Sequence, residues 1–343
     1  MKIAIVLFNL GGPDSPEAVQ PFLRNLFSDP AIISLPSFFR LPLARFIASR
    51  RTAKAQGIYA KIGGSSPILG QTEAQARALE EALGPQHEWR GYVCMRYWHP
   101  MTEAVVRSVK RFAPDRIVLL PLYPQFSTTT TASSVKAWKE AADKAKLVVP
   151  TQTVCCYPDE EGFVSASVDL LRQGLSEAGE RPIRVLFSAH GLPEKIIKAG
   201  DPYQAQVERT AKAIADRTGG LDWSVCYQSR VGPLKWIGPP TEDEIRRAGA
   251  DGKAIVLYPL AFVSEHSETL VELDMDYRAL ANESGVSAYI RVPTVGTHPA
   301  FIAGLADRVR AILAEPQVAI CHGAKTMPCS SSHRGCPLIA RAV

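Results

Sequence analysis

At 343 residues the chain exceeds one typical hydrophobic core and fits about two domains. Its 46% hydrophobic and 21% charged residues suit a soluble globular protein, and a net charge of +5 with no dense Lys/Arg block excludes a nucleic-acid footprint. No apolar run approaches the ~18 residues that span a bilayer, and seven cysteines without a secretory signal argue against a disulfide framework.

Lys2 ahead of Ile3–Leu10 has the look of a signal peptide, but the run is too short and Gly11-Gly12-Pro13-Asp14 replaces the cleavage site. A cytoplasmic enzyme is expected, with membrane contact at the surface only. Ile3–Leu10 reads as a buried strand and Pro16–Leu26 as a helix. Residues 30–51 interleave Phe38, Phe39, Leu41, Leu43 and Phe46 with Arg40, Arg45, Arg50 and Arg51. That segment suits a helix pair packed on its own core, or a lip touching a membrane surface.

Lys61-Ile62-Gly63-Gly64-Ser65-Ser66-Pro67 is a Gly/Ser loop without the Lys-Ser/Thr ending of a phosphate loop. A helix over Gln71–Leu83, a strand over Arg90–Tyr97 and an amphipathic helix over Thr102–Phe112 follow. The strand Arg116–Leu122 opens into Tyr123-Pro124-Gln125-Phe126-Ser127 and Thr128–Thr131, a hydroxyl-rich turn suited to receiving carboxylates at a helix N-terminus. Lys146–Cys156 completes a first set of strands alternating with helices, the pattern of a doubly wound parallel sheet.

The pattern restarts. Strands are expected at Ile183–His190, Trp223–Ser229, Ala254–Phe262 and Ser287–Val292, separated by helices at Tyr203–Arg217, Glu242–Ala248 and Glu268–Asn282, with a last helix at Phe301–Leu313. Thr241 and Glu244 have capping-box spacing. Val6-Leu7-Phe8 is echoed by Val185-Leu186-Phe187, and Ile117-Val118-Leu119 by Ile255-Val256-Leu257. These echoes point to an α/β protein of two Rossmann-like units with a cleft between them: residues 1–157 including the 30–51 lip, residues 158–315, and a cysteine-containing extension over 316–343.

The chemistry gathers at one sheet edge. Val185–Ala189 runs apolar into His190, and Gly191-Leu192-Pro193 breaks the strand, so the imidazole sits at the carboxyl end of a buried strand, where open parallel sheets bind ligands. A lone histidine there also suits a satisfied core position. Glu268, Glu272 and Asp276 recur every four residues and form one acidic stripe on a helix of ordinary pitch, with Leu270, Leu273, Tyr277 and Leu280 opposite. A His and a Glu at one edge, with His266 beside them, offer ligands for a divalent first-row metal, a proton acceptor, and a carboxylate file to solvent. The stripe also suits a plain solvated edge. No His-Glu-x-x-His spacing supports zinc hydrolysis, and no Gly-x-Gly-x-x-Gly loop supports a nicotinamide dehydrogenase.

Leu186-Phe187-Ser188-Ala189-His190-Gly191-Leu192-Pro193 resembles the signature of the ferrochelatases, which insert ferrous iron into a porphyrin. The resemblance extends in order through Asn9–Pro13, Ile62–Ile68, Met95–Tyr97, Leu122–Ser127, Gly200–Tyr203, Tyr227–Pro233 with Trp236, and Glu265–Leu270. It implies a porphyrin cleft and makes His190 either metal ligand or pyrrole-proton acceptor, with Glu268 facing it; Glu272 and Asp276, from the stripe's spacing, would carry protons away. Iron would be held by His190 and Glu268; Tyr123, Ser127, Lys61, His266 and Trp236 would line the porphyrin cleft. The implied substrates are Fe2+ and protoporphyrin IX, giving protohaem. Alternatives are a chelatase for coproporphyrin or Co2+, or a non-catalytic tetrapyrrole carrier.

Cys94 and Cys226 lie in apolar strand runs and read as buried hydrophobes. Cys321, Cys329 and Cys336 with Cys155 or Cys156 could supply four thiolates to a [2Fe-2S] cluster, and the tail resembles that of ferrochelatases carrying one. Cys156 is the upstream ligand expected. His322 and His333 make zinc an alternative, and a tail of uncommitted thiols is the plainest reading.

Overall fold

The computed structural model describes residues 1–229, 234–314, 319–321 and 332–337. Contacts divide the chain into two compact units, Met1–Cys155 with Ala306–Ile320, and Cys156–Leu305 with Cys321–Val343. The last long helix therefore belongs partly to each unit, whereas periodicity alone assigns all of it to the second.

In the first unit β1 (Lys2–Asn9), β2 (Glu88–Met95), β3 (Arg116–Pro121) and β4 (Thr151–Cys156) pair in parallel in the order β2-β1-β3-β4. Its helices are α1 (Val19–Phe27), α2 (Ser37–Ala60), α3 (Ile68–Leu83), α4 (Thr102–Phe112) and α5 (Thr131–Lys144). Side chains alternate across a strand, so Ala4, Val6 and Phe8 pack with Val105, Val109 and Trp138 on the α4/α5 face.

The second unit repeats the plan. Its strands β5 (Ile183–His190), β6 (Trp223–Gln228), β7 (Ala254–Pro259) and β8 (Tyr289–Arg291) are parallel in the order β6-β5-β7-β8, the first order shifted by four. The sequence echoes fall on equivalent strands, β1 with β5 and β3 with β7. Helices α6 (Glu161–Ala178), α7 (Glu194–Lys198), α8 (Tyr203–Thr218), α9 (Thr241–Ala250), a π-helix (Glu268–Asp276), α10 (Tyr277–Glu283) and α11 (Pro299–Ala314) complete the chain's helices among the described residues. A short β9 (Ala319–Cys321) joins the first sheet beside β4.

Alternation along β5 decides where the site lies. Val185, Phe187 and Ala189 enter a core with Val164, Leu171, Val207 and Ile214 from α6 and α8. Leu186 enters the opposite core with Ile245 of α9 and Leu273 of the π-helix. Ser188 and His190 share that second face by the period of two. Ser188 Oγ lies 3.1 Å from Thr241 Oγ1, and His190 reaches the π-helix.

Three expectations change. Residues 30–51 do not form a packed helix pair: Ser37–Ala60 is one helix burying Ala44, Ala48 and Tyr59, with Phe38, Phe39, Leu41 and Phe46 more than half exposed. The Thr241/Glu244 capping box is not made; Pro240 is the N-cap, Thr241 turns its hydroxyl to Ser188, and Glu244 binds Ser224 and Arg247. Residues 268–276 are π-helical rather than α-helical. The wider i→i+5 turn adds Thr269 and Val271 to the buried side chains, while Leu273 and Tyr277 of the expected apolar face are buried and Leu280 packs against them. No described helix is long and apolar enough to cross a membrane.

Candidate active site

His190 ends β5 and Gly191 follows it out of the sheet. Gly191 donates its N–H to Gln228 of β6 at 2.9 Å, and a Cβ there would come within 3.0 Å of the Gln228 carbonyl oxygen and 3.3 Å of Trp236 Cε3. The absence of a side chain lets Trp236 lie over the turn. Residues 235–237 are held there by Glu194 N–H to Lys235 O and Ile237 N–H to Leu192 O, at 2.9 and 3.0 Å. Trp236 is thus placed over Gly191, the residue that follows His190.

His190 Nδ1 is 2.6 Å from the Gly191 carbonyl oxygen. A carbonyl only accepts, so Nδ1 carries the hydrogen, and in the neutral ring Nε2 carries the lone pair. Nε2 lies 3.9 Å from Glu268 Oε1, and both side chains are partly exposed, at 37% and 28%. His266 Nε2 stands 3.9 Å from the other oxygen, Oε2, which is buried and has no hydrogen-bond partner among the described residues. Glu268 is therefore flanked by two imidazoles beyond direct hydrogen-bond reach of either.

The two imidazoles differ. His266 is buried against Phe262, with ring centroids 4.6 Å apart, and its backbone N–H donates to Thr269 Oγ1 at 2.9 Å. Burial pushes its pKa down, against the pull of Glu268 and Glu265, which keeps it neutral. His190 is the accessible one.

One turn on, Glu272 accepts from the Ser229 N–H at 3.0 Å, the Ser229 hydroxyl, and the Tyr277 hydroxyl at 3.2 Å. Ser229 has φ +61°, a left-handed conformation costly for a side-chain-bearing residue, and it follows directly on β6. Burial, reinforced by the charge of Glu268, raises the Glu272 pKa despite the Ser229 hydrogen bonds. Asp276, the third member of the stripe, is exposed. The structure thus brings His190, Glu268, His266, Glu272 and Trp236 together within the second unit. Ser229 and Tyr277 were not foreseen as partners of Glu272; the apolar face drawn at ordinary helical pitch placed Tyr277 away from the acids.

Lys61, Tyr123 and Ser127 belong to the first unit. Lys61 is exposed after α2. Its loop folds back through Ser66 N–H to Pro13 O at 2.8 Å, where a Cβ on Gly12 would strike Ser66, so two matched motifs form one surface. Ser127 is buried, its hydroxyl 2.9 Å from Thr129 Oγ1. The hydroxyls of Tyr123, Thr130, Thr131 and Ser134 are buried without a partner among the described residues, around the start of α5. Arg96 and Tyr97 are tied to buried Asp29, at 2.7 and 2.9 Å.

Cys94 and Cys226 are buried, and burial pushes each thiol up to about 12, consistent with inert packing. Cys156 ends β4, and Cys321 ends the neighbouring β9. Cys156 and Cys336 are buried, with Gln206 Nε2 3.5 Å from Cys156 Sγ. Cys329 lies outside the described residues. No group of three or more His, Cys, Asp or Glu among the described residues could hold a metal ion.

Two linked α/β units with His and Glu at a strand edge define a chelatase-type protein. In fold the chain is similar to SirB from Bacillus subtilis with Fe3+, with a TM-score of 0.51 and 15% identity over 92% of this chain and 96% of that one. The ferrochelatase family model matches residues 2–313. A ferrochelatase of Caulobacter vibrioides is 57% identical over 314 residues, 90% of each chain. One of Hyphomonas neptunium is 51% identical over 346 residues, 98% of this chain and 94% of that one. The chain belongs to the ferrochelatase family. It is a metal chelatase whose reaction is insertion of ferrous iron into protoporphyrin to form haem.

Proposed function

We propose that His190 Nε2 takes a pyrrole proton and that Glu268, then Glu272 and Asp276, pass protons outward. Inserting Fe2+ displaces both pyrrole hydrogens, so two protons leave for each protohaem formed. The observation that carries this reading is the Nδ1–Gly191 contact, which turns the basic nitrogen toward Glu268. Glu272 is biased to hold a proton by burial and by the charge on Glu268, which suits the second place in a relay. Anaerobic haem formation from protoporphyrin IX and Fe2+ tests it: His190→Ala and Glu268→Gln should abolish most turnover in folded protein.

A second reading uses the same pair to hold iron. Its support is the buried Glu268 Oε2 without a hydrogen-bond partner among the described residues, with His266 Nε2 3.9 Å away. Loss of Fe2+ binding in porphyrin-free His190→Ala would favour iron ligation; unchanged binding with lost turnover favours proton transfer. Trp236, Tyr123, Ser127, Lys61 and His266 complete the porphyrin-binding walls in this proposal. Walls that bind a ring with tilted pyrroles better than a flat one lower the insertion barrier.

Cys156, Cys321, Cys329 and Cys336 are proposed ligands of a [2Fe-2S] cluster. The fit rests on two buried thiols and on Cys156 and Cys321 ending adjacent strands. The exposed aromatic face of α2 is proposed to dock on the cytoplasmic face of the inner membrane, as a peripheral contact.

A further inference from the structure

The turn Gly200-Asp201-Pro202-Tyr203 takes no part in the proton path, yet it joins two parts of the second unit. On one side it receives residues 332–337. Gly335 donates its N–H to the Gly200 carbonyl oxygen at 3.0 Å. Gly200 has φ +96°, and a Cβ there would stand 2.9 Å from the Arg334 nitrogen and 3.1 Å from the Ser332 carbonyl oxygen. A glycine is needed both for the backbone conformation and for the close approach. Ser332 and His333 wall a cavity of about 320 Å³ with Asp201 and Gln204, and Cys336 beyond them is buried.

On the other side the turn reaches the site. Buried Asp201 accepts the Tyr203 N–H on Oδ1 at 2.9 Å, fixing the start of α8. Buried Tyr203 donates its hydroxyl to the His190 carbonyl oxygen at 3.0 Å. The N–H of that same peptide, belonging to Gly191, is taken by Gln228. The peptide between His190 and Gly191 is thereby held at both ends, and Gly191's own carbonyl holds the imidazole. Burial keeps the Tyr203 phenol protonated, so the donor persists at every working pH.

We propose that Tyr203 is a positioning residue for His190, and that residues 332–337 act on the site through it by bracing the Gly200–Asp201 turn. The proposal rests on His190 being the reacting imidazole. It assigns the matched Gly200–Tyr203 motif a mechanical role, connecting the carboxyl-terminal segment to the strand end.

The test uses the full chain with three substitutions, singly and paired. Tyr203→Phe keeps the ring and removes the donor; a fall in kcat of about tenfold with unchanged KM for porphyrin is expected, with a shifted rate–pH profile. Gly200→Ala, or Gly335→Pro where the first fails to fold, should show the same signature more weakly. Each paired with Tyr203→Phe should be no worse than Tyr203→Phe alone. Wild-type kcat and pH profile in Tyr203→Phe would overturn the positioning role, and multiplying losses in the pairs would overturn the coupling. The 15N spectrum of His190, assigned by difference from His190→Ala, reads the Nδ1–H tautomer without turnover. Loss of that tautomer's dominance in Tyr203→Phe supports the proposal even if the catalytic reading fails; an unchanged spectrum contradicts it.

Discussion

The Gly191 carbonyl oxygen, 2.6 Å from His190 Nδ1, settles which nitrogen of the imidazole faces Glu268. One peptide beyond the strand end thus sets the tautomer of the side chain at the strand end. The consequence is a basic Nε2 with a carboxylate 3.9 Å further on.

That arrangement makes the imidazole's contribution measurable. Removing a positioned proton acceptor costs about 10²- to 10⁴-fold in rate. His190→Ala should lose activity in that range in kcat, while far-UV circular dichroism and thermal unfolding stay close to wild type, because the side chain is partly exposed and outside the hydrophobic core.

Glu272 predicts a stability change with a definite sign. Its native pKa is raised above the ordinary 4.5. The native state therefore binds this proton more tightly than the unfolded chain, and stability falls as pH rises from about 4.5 through the native value, then levels off. Glu272→Gln removes that loss. The Tm of the variant relative to wild type should be more positive at about pH 8 than at about pH 4. A difference that shrinks with rising pH contradicts the raised value. The same variant should show a severalfold fall in kcat, milder than Glu268→Gln.

Much of this was legible in the primary structure. The paired echoes landed on equivalent strands because parallel buried strands demand near-continuous apolar runs, whose positions survive in the pattern. His190 was legible because an apolar strand ending in a polar residue and Gly-Leu-Pro marks a strand's carboxyl end. The π-helix was not, since Glu268, Glu272 and Asp276 keep a spacing that also satisfies an ordinary helix, and only backbone hydrogen bonds distinguish the two. The contacts of Ser229 and Tyr203, though both residues lie in matched motifs, were hidden for another reason: their partners are 43 and 13 residues away, and such contacts follow from packing rather than periodicity.

Trp236 separates binding from rate. Its ring lies on Gly191, the residue that follows His190. If this wall favours a tilted porphyrin, Trp236→Ala should lower kcat more than it raises KM. Weakened affinity with an unchanged rate at saturation would make the indole a binding surface only.

The α2 face predicts lipid binding. The Phe38 and Phe39 rings lie tilted by 39° with centroids 4.1 Å apart, and both are exposed with Phe46. Replacing the three by Ser should abolish co-sedimentation with anionic vesicles and leave haem formation from detergent-solubilised porphyrin near wild type. Retained sedimentation would place membrane contact elsewhere.

Anaerobically purified protein should show charge-transfer absorption in the visible and about two irons and two sulfides per chain if the four cysteines hold a cluster. Cys156→Ser should remove both. Colourless protein without sulfide would end the proposal.

The central claim is that His190 and Glu268 perform the insertion chemistry, and single-turnover haem formation tests it most directly. Purified protein is mixed anaerobically with saturating Fe2+ and enzyme-bound protoporphyrin IX, and haem is read by absorbance for wild type, His190→Ala and Glu268→Gln. Rapid haem formation in wild type, with both variants binding porphyrin but slowed by about 10² or more, is the predicted result. Wild-type rates in either variant would contradict the account.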